Sequence, residues 1–384
     1  MAPRPRAPTG PPLRRCSTRN LLRRHLSRWD SRRREILVPS RRQLGLKRGA
    51  RMTTIYDVAR RSGVSPATVS RVLSGRRNVD PELSEKVRAA VAELGYRPNG
   101  VARNLRRAST NLWAVVISDI ENPFFTSLVR GLEDVAQTEG YHVVLCNSDE
   151  DPAKEAAYAS AVLTEQMAGV VISPTSTAEG VQQLDEAKTP MVLIDRRVEG
   201  IEADTVLVDN EHGAFEGVNH LIEGGYRRIA CITGPRRVST AMDRLAGYRS
   251  ALRGAGIRFQ KDLVRHADFR EAGGFAAMES LLDQPERPEA LFVTNNLMTV
   301  GALECLAKRG LRAPDDIAVV GFDDIPWADL VVPSLTTVAQ PTYELGRTAG
   351  LLLKDRIASP GRPPSTVTLR TELHIRATSA PKKP

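Results

Sequence analysis

The spacing of apolar residues predicts a helix at the start of segment 53–97. Ile55, Val58 and Ala59 lie three and four residues apart and form one apolar face. Thr54 stands directly before this run, where a threonine side chain can cap the first turn of a helix. The pattern therefore predicts a short amphipathic helix that buries one face.

Two more helices are predicted in this segment, because a proline twice follows a capping residue. Ser65-Pro66 opens the second helix, after a turn at Gly63. Asp80-Pro81 opens the third helix, which we expect to end at Gly95. The apolar residues expected to face inward are Val69, Val72 and Leu73 on the second helix, and Leu83, Val87, Val91 and Leu94 on the third. A helix-turn-helix has this pattern, and so does a three-helix bundle with no nucleic-acid role.

After residue 110 the pattern changes to short apolar runs that alternate with amphipathic segments. Segments such as Phe125–Glu139 and Gly213–Glu223 predict helices. The apolar runs predict strands at Leu112–Ile117, His142–Cys146, Gly169–Ile172, Met191–Ile194, Arg228–Ile232, Ala290–Val293 and Ile317–Gly321. This alternation favours parallel sheets covered by helices on both faces. Because the region exceeds one compact core, we expect two doubly wound α/β lobes.

Charge is distributed unevenly along the chain. The overall net charge is +10, yet residues 1–52 carry +14 and residues 53–110 carry +6, which leaves −10 for residues 111–384. The basic charge of the second segment favours a DNA-binding head over a plain helical bundle. The region after it is acidic, so the basic character of the chain belongs to the head and to the extension before it.

Residues 1–52 are rich in Arg and Pro and have almost no apolar periodicity, so we expect a disordered extension. Three interpretations are open: a nucleic-acid-binding arm, a transit-like peptide, or translated leader upstream of the true start. We favour a start at Met52, which stands directly before the first predicted helix. The extension has no apolar stretch long enough for a secretory signal, and the chain has none of membrane-spanning length.

The head and the segment after it resemble the LacI (lactose-repressor) family of transcriptional regulators. The resemblance rests on TIYDVARRSGVSPATVSRVLSG, on LGYRPN at the end of the third helix and on VARNLRR after it. It covers the chain from Thr53 onward. It implies an all-α helix-turn-helix DNA-binding domain over 53–97, a hinge helix and linker over 98–110, a two-lobed sugar-binding and dimerisation domain over 111–377, and a flexible tail over 378–384.

The resemblance also implies that the second helix contacts DNA in the major groove. Arg71 is placed to bind a guanine, while Thr54 and Tyr56 hold the DNA backbone. Asn78 approaches the bases from the following loop. The residues that the resemblance assigns to DNA are Thr54, Tyr56, Ser65, Pro66, Ala67, Thr68, Arg71, Asn78, Asn99, Leu105 and Arg106.

Segment 98–106 is too short for a stable isolated helix, because nucleation is costly, and Gly100 weakens it by about 1 kcal/mol relative to alanine. Such a segment can fold on DNA and unfold away from it. The resemblance implies a hinge helix in the minor groove, with Leu105 as the wedge between base pairs. A simple polar linker is the alternative, although Val101, Ala102 and Leu105 share an apolar face.

Polar and aromatic residues follow the predicted strands of the sensor. In doubly wound sheets ligands bind beyond the carboxyl ends of the strands, and two lobes bring such ends face to face. The candidate residues are Asn122, Phe124, Phe125, Asp195, Arg196, Arg244, Phe269, Asn295, Asp323 and Gln340. Asp and Arg form paired hydrogen bonds with hydroxyls, and Phe rings stack on apolar C–H faces, so the set favours a polyhydroxylated ring. Each residue alone has a structural alternative, such as a core Phe or a helix-capping Asp.

The same positions resemble the pocket of the type I periplasmic ribose-binding proteins. The shared motifs are NPFF, DR, an Arg shortly before Gly-Tyr, ADF, a TNN tract, GFD and the late AQP. The resemblance implies two lobes joined by three crossovers, with D-ribose or a ribose-like sugar as effector. Asn296 departs from the family pattern, in which an acidic residue is common, and leaves the identity of the sugar open.

Other classes of protein fit the sequence less well. It has no Walker loop, GxGxxG fingerprint, nucleophile elbow or metal-ligand cluster, so we expect no enzyme, cofactor or metal site. A transported sugar-binding protein would not carry the DNA-binding head. A purine-responsive regulator is the nearest alternative, and Val238 disfavours it, because purine sensors of the family carry an arginine there. The expected partners are a pseudo-palindromic operator, a small sugar and a second copy of the chain, in the cytoplasm and with no membrane.

Overall fold

The structure is a computed structural model that describes residues 53–73, 79–96 and 110–382. It divides into two compact units, residues 1–99 and residues 100–384. The first unit contains the predicted head, and the second contains the predicted sensor. The predicted extension over residues 1–52 and the predicted hinge helix over residues 98–106 lie outside the described residues.

Three helices form the described part of the head: α1 (Ile55–Ser62), α2 (Pro66–Leu73) and α3 (Pro81–Glu93). Gly63 ends α1 in the left-handed conformation with φ 69°, which a residue without a Cβ adopts at little cost. The Ser65 hydroxyl accepts a hydrogen bond from the backbone N–H of Thr68 at 3.1 Å. The Asp80 carboxylate accepts one from the backbone N–H of Glu82 at 2.8 Å. The caps predicted at Ser65 and Asp80 are therefore formed.

The head encloses a small apolar core in which Val58 and Val87 are fully buried. The prediction that Leu83 faces inward is wrong, because this residue in the first turn of α3 is 37% exposed. The helix α3 has 13 residues while α1 and α2 have 8 each. The shorter helices cannot cover its whole length and leave its first turn in solvent. Val91 and Leu94, further along α3, are partly buried against the core as predicted.

Strands and helices alternate through the second unit, which confirms the predicted α/β class. The strands are β1 (Leu112–Ile117), β2 (His142–Asn147), β3 (Gly169–Ile172), β4 (Met191–Ile194), β5 (Asp204–Val208), β6 (Ile229–Thr233), β7 (Val264–His266), β8 (Ala290–Val293), β9 (Ala318–Phe322), β10 (Thr336–Ala339), β11 (Thr366–Leu369) and β12 (Glu372–His374). The helices are α4 (Pro123–Thr138), α5 (Pro152–Thr164), α6 (Glu179–Glu186), α7 (Asn210–Glu223), α8 (Ser239–Gly254), α9 (Glu271–Leu282), α10 (Asn296–Lys308) and α11 (Thr342–Ala358).

The strands form two six-stranded sheets, one in each lobe. The N-lobe sheet has the order β11-β5-β4-β3-β1-β2, and all of its pairs are parallel. The C-lobe sheet has the order β12-β10-β9-β8-β6-β7, and only β12 is antiparallel to its neighbour. The strands β3, β4 and β8 are buried over their whole length. Helices on both faces of a parallel sheet explain why these strands are continuous apolar runs.

The chain passes between the lobes three times: after β5, after β10, and between β11 and β12. The helix α7 packs on α8 and β9 of the C-lobe, whereas α11 packs on α4 and β4 of the N-lobe. Parallel strands in both lobes end at the cleft between them. Gln340 lies on the second crossing, directly after β10.

The predicted flexible tail over 378–384 is wrong for the residues described there. Thr378 is 1% exposed, and its hydroxyl donates a hydrogen bond to the carbonyl of Val319 at 2.8 Å. The ammonium of Lys382 lies 2.6 Å from a carboxylate oxygen of Glu289. Hydrogen bonds and an ion pair hold this segment to the C-lobe, and they leave no apolar pattern in the sequence.

Candidate functional site

One cavity between the two lobes is lined by all ten residues that the sequence predicts for effector binding. The N-lobe supplies residues that follow β1 and β4. The C-lobe supplies residues from α8, from the loop after β7 and from the ends of β8 and β9. The N-lobe residues are Asn122, Phe124, Phe125, Asp195 and Arg196, the C-lobe residues are Arg244, Phe269, Asn295 and Asp323, and Gln340 comes from a crossing segment.

Three of these residues have a left-handed backbone, which is unusual for a residue with a Cβ. The φ angle is 67° at Asp195, 65° at Phe269 and 70° at Asp323. This conformation costs about 1–2 kcal/mol per residue and persists where the surrounding structure enforces it. Asp195 and Asp323 directly follow β4 and β9, so the chain turns sharply at the point where it enters the cavity. Such a concentration of backbone strain is typical of functional sites.

Arg196 is held by the N-lobe and is 6% exposed. Its two terminal nitrogens donate to the two carboxylate oxygens of Glu150 at 2.9 and 2.6 Å. One of them also donates to the carbonyl of Pro174 at 3.0 Å. The guanidinium carbon lies 5.6 Å from the centre of the Phe269 ring on the C-lobe. Bidentate pairing fixes the plane of the guanidinium, so Arg196 is oriented before any ligand binds.

Arg244 is the corresponding cation of the C-lobe, and it lies in α8 rather than in the loop before it. Its Nε donates to Oδ1 of Asn210 at 2.8 Å, and its Nη1 donates to the carbonyl of Thr294 at 2.6 Å. The same Nη1 lies 3.3 Å from Oδ2 of Asp323. The guanidinium stacks on the Phe322 ring at 3.8 Å from its centre. Arg244 is therefore a fixed donor, and it is 3% exposed.

Asp195 is a buried carboxylate, 8% exposed. Its pKa is raised from the usual 3.8 to about 6, chiefly by burial; the nearby arginines Arg196 and Arg244 lower the pKa, and the carboxylates Asp323 and Glu150 raise it. Desolvation therefore outweighs attraction to the arginines. At neutral pH the group is ionised, and it is a strong acceptor for hydroxyl donors of a ligand.

Asparagine side chains connect the cavity to the helices around it. Asn122 caps α4 by accepting a hydrogen bond from the backbone N–H of Phe124 at 3.0 Å. Asn295 caps α10, and its Nδ2 donates to the carbonyl of Phe269 at 3.1 Å. Across the cleft, Nδ2 of Asn296 donates to Oδ1 of Asn122 at 2.9 Å. Asn296 therefore joins the lobes through a neutral bond at the position where the family pattern favours an acid.

Ion pairs also join the two lobes in this structure. Arg270 of the C-lobe lies 3.3 Å from Asp119 and 2.5 Å from Asp149, both in the N-lobe. Arg197 of the N-lobe makes two hydrogen bonds to Asp243 of the C-lobe, at 2.5 and 2.8 Å. The lobes are thus closed over the cavity.

Two buried polar atoms at the cavity have no hydrogen-bond partner among the described residues: Oε1 of Gln340 and Nε of Arg196. Gln340 uses its Nε2 to donate to the carboxylate of Asp323. Buried polar atoms are normally paired, so an unused acceptor and an unused donor favour a ligand with hydroxyl groups.

Phenylalanine rings supply the apolar part of the cavity. Phe124 and Phe125 meet edge to face, with ring centres 4.9 Å apart. Both also belong to the N-lobe core, so the structural and the ligand-binding interpretations hold together. Phe269 faces them from the C-lobe side of the same cavity.

Five residues that line the cavity were missed by the sequence analysis: Asp119, Glu150, Thr240, Asp268 and Arg270. Asp119, Asp268 and Arg270 lie close in sequence to predicted residues, which was an available signal. Glu150 lies just beyond the end of β2, so the rule applied to the other strands also pointed to it. Thr240 lies in the first turn of α8, one turn before Arg244, and had no signal of its own.

Seven of the candidate DNA-contact residues lie in the part of the head that the structure describes. Ser65, Ala67 and Arg71 are exposed on or beside α2, and Pro66 and Thr68 are half-buried. Tyr56 on α1 is 69% exposed, and Thr54 caps that helix. An exposed helix with short polar side chains is what insertion into a major groove requires. Asn78, Asn99, Leu105 and Arg106 lie outside the described residues.

Within the described ranges, no group of His, Cys, Asp and Glu side chains could hold a metal ion. None of the helices there is both long and apolar enough to cross a membrane.

The chain matches two family descriptions. "Bacterial regulatory proteins, lacI family" covers residues 54–99, and "Periplasmic binding protein-like domain" covers residues 218–379. The first match includes all three described helices of the head, and the second lies mostly in the C-lobe. A helix-turn-helix head followed by a two-lobed binding fold defines the class of ligand-responsive DNA-binding regulators.

Solved structures with this architecture are similar over most of the chain. The transcriptional regulator CelR in complex with cellobiose is 34% identical with TM-score 0.66, over 85% of this chain and 99% of that one. The lac repressor dimer bound to operator and an anti-inducer is 29% identical with TM-score 0.76, over the same shares. A LacI-family regulator from Enterococcus faecium with bound ribose is 28% identical with TM-score 0.63, over 71% of this chain and all of that one.

Curated relatives are also similar over most of the chain. Catabolite control protein A of Priestia megaterium is 37% identical over 302 residues, 78% of this chain and 91% of that protein. The ribose operon repressor of Halalkalibacterium halodurans is 37% identical over 328 residues, which are 85% of this chain and 97% of that protein. The repressor CytR of Escherichia coli K12 is 36% identical over 306 residues, which are 79% of this chain and 89% of that protein. The chain belongs to the lacI family of bacterial regulatory proteins. It is a transcriptional regulator and not an enzyme.

Proposed function

We propose that the protein represses transcription from a pseudo-palindromic operator and is released from it by D-ribose or a closely related sugar. The observation that carries this proposal is the cavity between the lobes, where all ten predicted residues come together. Fixed arginines, a carboxylate with a raised pKa and three Phe rings surround it.

The chemistry of the cavity suits a small polyhydroxylated ring. Neighbouring hydroxyls can donate to Asp195 and Asp323 and accept from Arg196 and Arg244. Asn295 and Gln340 add amide groups that can bind further hydroxyls. The Phe rings can cover the apolar faces of the sugar. Two relatives support ribose in particular, since one is named as a ribose operon repressor and another was solved with ribose bound.

The proposed mechanism is a shift between two arrangements of the lobes. Residues on both lobes contact the sugar, so it binds better to the closed arrangement than to the open one. A ligand moves such an equilibrium only by its difference in affinity for the two states. Closure changes the geometry of the strand ends and crossing segments, and in this proposal it disfavours the folded hinge helix and releases the operator.

A homodimer completes the proposal, because the C-lobe exposes an apolar loop after β9. Leu330 is 81% exposed, Val332 is 98% exposed and Trp327 is 44% exposed. Burial of such side chains is favourable, by about 25 cal/mol for each Å² removed from water. A second copy of the chain is the occupant that we assign to this loop. Two heads would then bind two operator half-sites.

The alternative is that another effector occupies the same cavity. CelR was solved with cellobiose, so a larger sugar is one candidate. A purine is the second, although Val238 is 3% exposed and supplies no donor.

Calorimetry with the purified full-length protein tests the effector. We expect saturable heat with D-ribose, weaker heat with its epimers, and none with hexoses, cellobiose or purines. Operator release should follow the same order of ligands. Clear binding of a hexose, disaccharide or purine without binding of any pentose would overturn the ribose assignment and leave the assignment as a repressor intact.

A further inference from the structure

A basic surface lies on the C-lobe, formed by α8 and the segments on either side of it. Residues 236–261 contain seven Arg and Lys residues and one acidic residue, Asp243, although residues 111–384 carry a net charge of −10. Arg244 belongs to the effector cavity, and Asp243 is paired with Arg197 across the cleft. The six other cations therefore form a local excess of positive charge on an acidic domain.

These six cations are exposed: Arg236, Arg237, Arg249, Arg253, Arg258 and Lys261. None of them forms an ion pair or a side-chain hydrogen bond with another residue that the structure describes. Arg309, an exposed arginine elsewhere in the same lobe, is paired by contrast, since it lies 3.1 Å from Glu279 and 3.0 Å from Asp283. Unpaired cations that are grouped on one surface attract anions.

Arg249, Arg253 and Lys261 line a groove of about 480 Å³, together with Ile257 and Phe259. Arg249 and Arg253 lie one turn apart on α8. The chain then returns through Ile257 and Phe259, so that Lys261 completes the groove. The groove thus combines three cations with one apolar wall.

The groove is partly rigid. The Phe259 ring packs edge to face on Tyr248, with ring centres 6.2 Å apart, and Tyr248 is fully buried. The guanidinium of Arg249 lies 4.7 Å from the centre of the Phe259 ring. Stacking on a fixed ring limits the freedom of Arg249 and keeps its donors available for a ligand.

We propose that this groove binds an organic phosphate, with Arg249, Arg253 and Lys261 around the phosphate and Ile257 and Phe259 against the organic part. Guanidinium and ammonium groups are the side chains that bind phosphate most strongly. The apolar wall distinguishes an ester from the free anion, and the volume suits a small molecule. The site is separate from the effector cavity and gives the regulator a second input.

Titration of the full-length protein with AMP, glucose 6-phosphate and inorganic phosphate tests the proposal and separates a nucleotide from a sugar phosphate. At least one ester should bind saturably and more tightly than inorganic phosphate. Arg253→Gln and Lys261→Gln should each weaken ester binding about tenfold, because each removes a charge-assisted contact. Phe259→Leu should weaken the ester and leave inorganic phosphate unchanged.

Arg258→Gln is the matched control, because it removes an equal charge from the same segment but does not line the groove. It should leave ester binding unchanged. Equal weakening by Arg258→Gln would reduce the effect to general surface charge and overturn the proposal. So would the absence of saturable binding, binding that Arg244→Gln abolishes but the groove variants leave intact, or binding of duplex DNA or an acidic polypeptide alone.

Discussion

At the scale of single residues, some side chains of the cavity lower the stability of the folded protein. Asp195 shows this most clearly, because its backbone has φ 67° and burial raises its pKa to about 6. A carboxyl whose folded pKa lies above its unfolded value destabilises the native state once both forms are ionised. Asp195 therefore lowers the free energy of unfolding, so its presence is not explained by a contribution to stability. A ligand that donates hydrogen bonds to the carboxylate would explain it.

Asp195→Asn should make the ligand-free protein more stable at about pH 7.5. The rise of the Asp195 pKa from 3.8 to about 6 corresponds to about 3 kcal/mol at most, and this figure already includes the attraction to Arg196. The advantage should shrink as the pH falls through 6 towards 4, because the native carboxyl then becomes protonated. Thermal unfolding at several pH values measures this. Lower stability of the Asn variant at neutral pH would contradict the interpretation.

Sugar affinity should fall as the pH drops through about 6, since the Asp195 carboxylate loses an acceptor when it takes up a proton. Calorimetry between about pH 5 and pH 8 follows the change. Asp195→Asn should bind sugar weakly and without this pH dependence, and it serves as the control. Equal affinity across the range in the unmodified protein would show that Asp195 does not accept from the ligand as an anion.

At the scale of elements, apolar runs predicted β1, β3, β4 and β8 with the observed bounds, because these strands are covered on both faces. The strands β7 and β12 were missed, since each has three residues and lies at the edge of its sheet. The edge strand β11 alternates exposed and half-buried positions. The strand β5 begins with Asp204, which is fully buried only because Arg356 and Arg362 pair with it. Such strands are defined by neighbours distant in sequence.

The same distinction explains what was predicted at the cavity. The ten residues could be predicted from the sequence because most of them follow strand ends, which the topology brings together. The contacts that close the cleft could not be predicted. Arg270 and Asp149 are 121 residues apart, and Asn296 and Asn122 are 174 apart. A one-dimensional pattern contains no information about which lobe surfaces meet.

On the head, Arg71→Ala should relax base preference at one symmetric pair of operator positions. An arginine that binds a guanine contributes about 1–3 kcal/mol of discrimination. Arg88→Ala, on the exposed side of α3, is the matched control and should leave base preference unchanged. Binding to a panel of operator variants measures both. A uniform loss across all sequences for Arg71→Ala would instead assign Arg71 to the DNA backbone.

At the scale of the whole molecule, the proposed response depends on how easily the lobes close. Arg197 and Asp243 join the lobes without lining the cavity. Arg197 is about half exposed, so the pair is partly screened by solvent. The ion pair stabilises the closed arrangement relative to the open one and therefore raises the apparent affinity for the sugar.

Arg197→Ala should lower sugar affinity about two- to fivefold while leaving operator affinity without sugar unchanged or higher. Asp243→Ala should have the same effect, and the double variant should be no weaker than either single variant. Arg309→Ala removes two ion pairs within one lobe and is the control. Calorimetry and operator binding with increasing sugar provide the readouts. Additive losses in the double variant would contradict a direct coupling across the cleft.

The exposed loop of the C-lobe makes dimer formation testable apart from sugar binding. Val332 is 98% exposed, so Val332→Asp should leave the folded subunit intact and place a charge in the proposed interface. The variant should sediment as a monomer, keep its sugar affinity and lose operator affinity by at least tenfold, because a monomer occupies one half-site. Leu351→Asp, at a less exposed apolar position on α11, is the control and should remain dimeric. A Val332→Asp protein that stays dimeric would place the interface on another surface, because a buried aspartate at that position could not be tolerated without a partner.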